Sequence, residues 1–126
     1  MRILIADDNE LVRRGVAEIL STLADCDVCG EASNGLEAFQ KAREMRPDLV
    51  ILDISMPCTN GLGAARLFRR ELPEIKILIM SHHDPVQLLP NILEAGADSC
   101  VDKFRIATDL PEIIKSLLAA QQGSTG

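Results

Sequence analysis

Five short apolar runs, each ending on polar residues and each followed by a stretch with helical spacing, constrain this chain more than any other feature. Leu49-Val50-Ile51-Leu52 is the clearest of them. An unbroken apolar run of that length suits a strand covered on both faces, and it stops on Asp53. Pro57, Asn60 and Gly61 then impose a loop before a helix can begin. Arg2 to Ala6 reads as another buried strand, running into Asp7, Asp8 and Asn9, and Ile75 to Met80 as a further strong one. Asp27 to Ala32 and Ser99 to Asp102 are weaker runs. Strict alternation of strand and helix implies an α/β fold: a parallel sheet with helices on both faces, joined by right-handed crossovers.

Asn9 or Asp8 caps a first helix whose apolar stripe is Val12, Val16, Ile19, Leu20 and Leu23. Asn34 and Glu37 have the spacing of a capping box and open a second helix toward Met45, closed by Pro47. A third helix from about Gly61 to Glu71 turns Ala65, Phe68 and Leu72 inward. The fourth is irregular, because Pro90 sits within its apolar stretch and Gly96 stops it. Proline lacks an N–H and clashes with the carbonyl four residues back, at about 3 kcal/mol in a regular helix. This predicts a helix that starts late, near Leu89 or Pro90, with His82 to Leu89 loosely held. Asp109 and Glu112 are expected to cap a fifth helix carrying Leu110, Ile113, Ile114, Leu117 and Leu118. Residues 1–120 read as one domain, and 121–126 have linker composition.

The balance of 47% hydrophobic and 25% charged residues over 126 positions fits one soluble domain. No apolar run approaches a membrane span, and the start is broken too early by Asp7 and Asp8 to be a signal peptide, which leaves a cytoplasmic location and no membrane contact as the expectation. A net charge of -6 argues against nucleic-acid binding by this segment, since phosphate contacts need clustered cations. Cys26 and Cys29 form a Cys-x-x-Cys, but their odd separation in a strand-like stretch points them to opposite faces, against a metal site.

Asp7 and Asp8, Asp53, Ser81 and Lys103 follow the first, third, fourth and fifth runs, so parallel strands bring them all to one sheet edge, where open α/β sheets bind ligands. Three carboxylates there repel one another, raise a pKa or recruit a cation, and Mg²⁺ suits an all-oxygen site with few protein ligands. In that setting Asp53 is equipped to accept a phosphoryl group, with Asp8 and Asp7 holding the metal and Lys103 and Ser81 binding phosphoryl oxygens. Metal-free, the crowded acids would cost stability, so that Mg²⁺ or Asp53→Asn would relieve it.

The runs Ile3-Leu4-Ile5-Ala6-Asp7-Asp8 and Ile51-Leu52-Asp53-Ile54-Ser55-Met56-Pro57, with Asn60-Gly61, Ser81, Ala95-Gly96-Ala97 and Lys103, resemble the receiver domains of two-component response regulators over nearly the whole length. Ser33-Asn34-Gly35-Leu36-Glu37-Ala38 and Asn60-Gly61-Leu62 are similar to the NarL/FixJ subfamily, whose members usually carry a LuxR-type DNA-binding domain after the receiver. The resemblance implies a flavodoxin-like (CheY-like) sheet of order 2-1-3-4-5. It implies a sensor histidine kinase as phosphodonor to Asp53, and Mg²⁺ held by Asp7, Asp8, Asp53 and the backbone carbonyl of Ser55. It also implies a possible homodimer on phosphorylation, and DNA contact only through a further C-terminal domain.

Three positions depart from that family's pattern. Cys100 stands where a rotating Tyr or Phe is usual, Phe104 where proline often follows the lysine, and His82 where a small residue often follows the Ser/Thr. With Ser81, Cys100 and Pro90 as the switch and output face, switching is expected to work by order and disorder of His82 to Leu89 rather than by ring rotation. Two other classes share parts of the pattern. A flavodoxin-like electron carrier is disfavoured because no Ser/Thr-rich phosphate loop follows the first strand. A Mg²⁺-dependent phosphohydrolase would need a cap or substrate pocket for which 126 residues leave little room. A degenerate receiver that only binds partners is countered by retention of all three acids and Lys103.

Overall fold

The computed structural model describes residues 1–56, 61–82 and 85–123, the side chains of 85–89 and 121–123 excepted; Pro57, Cys58, Asn60, His83 and Asp84 lie outside the described residues. Strands β1 (Arg2–Ala6), β2 (Asp27–Ala32), β3 (Leu49–Asp53), β4 (Lys76–Ser81) and β5 (Ser99–Asp102) alternate with helices α1 (Glu10–Ser21), α2 (Gly35–Met45), α3 (Gly61–Glu71), α4 (Pro85–Glu94) and α5 (Ile106–Gly123). All strand pairs are parallel, in the order β2-β1-β3-β4-β5.

Period-two alternation splits the core into two layers. Leu4, Ala6, Val50, Leu52, Ile77 and Ile79 point to one face and meet Ala38 and Ala42 of α2, Ala65 and Phe68 of α3 and Ile92 of α4. Ile3, Ile5, Leu49, Ile51, Leu78, Met80 and Val101 point to the other and meet Val16 and Leu20 of α1 and Leu110 and Ile114 of α5. Every apolar residue of β1 and β3 is fully buried, as strands covered on both sides require. Cys26 and Cys29 fall into different layers, so their thiols face away from each other across the sheet, and burial raises the pKa of each.

Asn9 and Asn34 are the caps of α1 and α2: Asn9 accepts from Leu11 N and Val12 N, and Asn34 accepts from Glu37 N. The Glu37 carboxylate does not return to the cap; it takes Ser33 Oγ at 3.2 Å and Lys41 at 3.1 Å.

Two helix starts differ from the sequence expectation. The fourth helix begins at Pro85 and carries Pro90 inside it, rather than beginning at Leu89 or Pro90. A proline is favourable in the first helical position because its missing N–H is unpaired there anyway. Pro90 costs this helix one ladder bond without ending it, and Ile92, fully buried, anchors the remainder. The fifth helix begins at Ile106, upstream of Asp109, after a 3₁₀ turn over Lys103–Arg105. Its entry is capped by Asp102, which accepts from Phe104 N at 2.9 Å, so Asp109 lies in the first turn and pairs with Arg105. The helix runs on to Gly123.

Phe68 is the largest fully buried side chain and meets Phe39 edge to face at 5.7 Å. Phe68→Ala is expected to cost about 3–5 kcal/mol, read as a fall in urea midpoint by circular dichroism, since the chain has no Trp or Tyr to report by fluorescence. Leu93→Ala, at a half-exposed position of α4, should leave the midpoint near that of wild type.

Candidate functional site

Each strand delivers its polar residue to the C-terminal edge of the sheet at a fixed parity. Asp53 ends β3, continuing the face of Leu49 and Ile51, and Asp7 follows β1 in the face of Ile3 and Ile5, still joined to the sheet through Asp7 N to Ala32 O at 3.0 Å. Both are buried, whereas Asp8, one residue further out, is exposed. One carboxylate oxygen from each of Asp7, Asp8 and Asp53 lies within 4.8 Å of the others. The three acids placed together by the sequence are together in space.

Lys103 reaches them from the 3₁₀ turn after β5. Its ammonium lies 2.7 Å from Asp7 Oδ2 and 3.1 Å from Asp53 Oδ1, with its side chain 9% exposed. Burial alone would push the Lys103 pKa down, but the hydrogen bonds and charges of Asp7 and Asp53 outweigh it and hold the ammonium above the ordinary lysine range. The mutual repulsion expected of three crowded acids is therefore offset at two of them, and among the described residues no ion pair reaches Asp8.

The loop after β3 is fixed by its backbone. Ser55 N donates to Asp53 Oδ1 at 3.2 Å, which places the exposed Ser55 at the mouth of the acid pocket. Gly61 N donates to Ile54 O at 3.0 Å, and a Cβ on Gly61 would lie 2.5 Å from Asp53 O and 2.7 Å from Ile54 Cα. Only glycine lets α3 start this close to the end of β3.

Ser81 ends β4, buried, opposite Asp102. Cys100 is paired in register with Ile79, half-buried against the α2 and α3 layer, and burial raises its thiol pKa. By strand parity Ser81 and Cys100 fall on the same side of the sheet. Pro90 is exposed, in the second half of α4. His82 and Phe104, which directly follow Ser81 and Lys103, meet each other: their rings are 5.2 Å apart, tilted at 52°, with Phe104 79% exposed. The Lys103–Phe104 peptide is trans. Sequence reasoning passed over Arg13, whose guanidinium holds the Asp7 carbonyl at 2.6 Å. The only signal for it was a long cation beside the apolar stripe of α1, one turn after the acid pair.

A doubly wound α/β domain that gathers three acids and a lysine at the C-terminal edge of its sheet defines a class of protein in its own right. Comparison with known proteins agrees: residues 3–115 match the response regulator receiver domain model, and the chain belongs to that family. Transcriptional regulatory protein LnrK of Bacillus subtilis is 36% identical over 123 residues, covering 98% of this chain and 54% of that protein. Response regulator protein VraR of Staphylococcus aureus is 35% identical over 115 residues, covering 91% of this chain and 55% of VraR. This chain therefore spans about half the length of those relatives. Among solved structures, a LuxR-family two-component response regulator from Aurantimonas superposes with a TM-score of 0.88 at 31% identity, covering 94% of this chain and 85% of that one. The signal receiver domain of the putative response regulator NarL from Mycobacterium tuberculosis gives 0.84 at 31% identity, covering 97% and 96%. No helix among the described residues is long and apolar enough to cross a membrane.

The Lys103 bridge has a definite pH signature. Its folded pKa is raised, so its stabilisation is complete below the unfolded lysine value of about 10.4 and is lost as pH climbs through the folded one. In chelator at neutral pH, Lys103→Met should destabilise by about 3 kcal/mol, because it leaves two buried carboxylates unpaired. The gap between wild type and variant in urea titrations should stay constant from pH 7 to 9 and close above the unfolded lysine value.

Proposed function

We propose that this chain is the phosphoacceptor module of a two-component response regulator, taking a phosphoryl group from the histidine of a sensor kinase onto Asp53. The observation that carries the reading is the Lys103 ammonium bonded to both Asp7 and Asp53, beside an Asp8 that no ion pair reaches among the described residues. Three carboxylates against one ammonium leave two negative charges, which a divalent cation cancels. All-oxygen donors with one exposed member suit Mg²⁺, which keeps several of its waters. Asp7, Asp8, Asp53 and the carbonyl of Ser55 would hold it, and it would neutralise charge on the transferring phosphoryl oxygens.

In the transfer, a carboxylate oxygen of Asp53 attacks phosphorus in line with the P–N bond of the phosphohistidine. That bond breaks as the P–O bond forms, and the electron pair stays on the departing imidazole nitrogen. Among the described residues Ser55 N and Lys103 converge on Oδ1, leaving Oδ2 for the incoming phosphorus. Lys103 then exchanges its carboxylate partners for phosphoryl oxygens, and Ser81 is drawn toward the same group. An apolar recess of about 240 Å³ beside Lys103, lined by Val12, Gly15, Ile19, Phe104 and Ile106, gives a kinase a surface next to the acceptor.

The displaced Ser81 passes the change to β5 and α4, and so to the face that includes Cys100 and Pro90; with α4 helical from Pro85, the late helix start behind an order–disorder switch over His82 to Leu89 is not there. Phosphorylation would favour a homodimer, and transcriptional output would come through a DNA-binding domain outside residues 1–120. A cytoplasmic site of action follows from that partnership. A phosphohydrolase would use the same carboxylate, but nothing in the pocket favours it over a signalling role.

Acetyl phosphate with Mg²⁺ should add one base-labile phosphoryl group to the wild type and none to Asp53→Asn, read by intact mass; equal labelling of both would refute the assignment. Mg²⁺ should also raise the melting temperature. Asp8→Asn should remove most of that rise and, in chelator, melt above the wild type, because the carboxylate it replaces has no cationic partner among the described residues.

A further inference from the structure

Asp8 has no ion-pair partner among the described residues and stands exposed at the mouth of the pocket, so its placement is set by the backbone that carries it. That backbone is the peptide between Asp7 and Asp8, a rigid plane whose orientation fixes the direction in which the next residue leaves. Asp7 itself is held on every side. Its amide donates to Ala32 O at 3.0 Å, its Oδ1 accepts from Asn9 N at 2.8 Å and its Oδ2 accepts from Lys103 at 2.7 Å. Of those three, only the Asn9 bond reaches past Asp7: it closes a turn around Asp8 and restrains the peptide that follows Asp7 from its far side. Its carbonyl is held by Arg13, whose Nη1 donates to it at 2.6 Å.

Arg13 is built for that task. It lies in the first turn of α1, one turn beyond the acid pair, and its side chain is 17% exposed, low for so long a cation. Nε donates to Glu31 Oε1 at 3.0 Å, so the guanidinium is aimed by the end of β2 and its charge is offset there. Lys41 of α2 in turn donates to the main-chain oxygen of Glu31, bracing the end of the strand that aims Arg13. The planar fork satisfies two acceptors in one fixed geometry, which a lysine cannot do.

We propose that Arg13 is a positioning residue of the cation pocket: by gripping the Asp7 carbonyl it fixes the Asp7–Asp8 peptide and aims the Asp8 carboxylate at a divalent cation. This rests on reading the pocket as a Mg²⁺ site. Residues that orient metal ligands without touching the metal change affinity by about 10–100-fold when removed, and a backbone grip belongs at the lower end.

The test uses Arg13→Met, which keeps the stem and loses every donor, and Arg13→Lys, which keeps the charge and loses the fork. In metal-free protein, amide hydrogen exchange at Asp8 and Asn9 should quicken in Arg13→Met while β3 stays protected. By calorimetry, Mg²⁺ should bind Arg13→Met about tenfold more weakly than wild type, with Arg13→Lys between them. Phosphoryl uptake from acetyl phosphate should then fall at low Mg²⁺ and recover at saturating Mg²⁺, a split that a general loss of stability would not produce. A wild type that binds Mg²⁺ and an Arg13→Met that binds it equally well overturn the role of Arg13 alone. A wild type that does not bind Mg²⁺ overturns the proposed function and this inference together. Should Arg13→Met fail to fold, Arg13→Lys against wild type carries the same comparison.

Discussion

The ammonium of Lys103, seated between two buried carboxylates, is the interaction on which the top of this domain depends. It joins residues 96 positions apart in the chain and ties the ends of β1, β3 and β5 into one unit. Without it Asp7 and Asp53 would face each other in a region that excludes water, a cost no packing contact nearby could offset. With it the same region can hold charged groups at rest and remain responsive, because a cation already bonded to two acids can change partners without being brought in from solvent.

The strands beneath that carry the acids make the arrangement possible by being regular. Ile3, Ile5, Leu49, Ile51, Leu78 and Met80 fill one layer and Leu4, Val50, Leu52, Ile77 and Ile79 the other, so the parity of β1, β3 and β4 is fixed from first residue to last, and the one register shift, between Val28 and Gly30, falls in β2. A slip of one position in β1 or β3 would exchange the layers and turn Asp7 or Asp53 away from Lys103. Gly61 completes the frame from the other side, since any side chain there would press on the main chain of Asp53 and Ile54.

Most of this was legible in the residues. Apolar runs with helical stretches between them specify a parallel α/β fold, and polar residues at the run ends specify the pocket; the sequence reading of β2, β5 and α3 agrees with the observed elements to the residue. What escaped depends on context. Pro90 and Asp109 carry strong local signals that the surrounding packing overrides: the burial of Ile92 sustains α4 through its proline, and the cap on Asp102 starts α5 before Asp109 is reached. Arg13 escaped for a different reason, because a main-chain carbonyl as partner leaves no mark on side-chain patterns.

The turn between α4 and β5 is clamped. Arg69, at the end of α3, donates to Gly96 O and Pro73 O and pairs with Asp98, each at 2.8 Å, while Asp98 also accepts from Ile77 N at 2.8 Å. Gly96 has a φ of 95°, with the stem of Arg69 lying where a Cβ would be. One end of α4 is thus bolted to the sheet, and the other is the end joined to β4 through Ser81. A tilt of such a rod would turn about its fastened end. With ten residues of helix as the arm, roughly 15 Å long at the usual rise, a tilt of about ten degrees at Gly96 sweeps the far end through more than 2 Å. In such a tilt the Arg69 clamp would be the fulcrum.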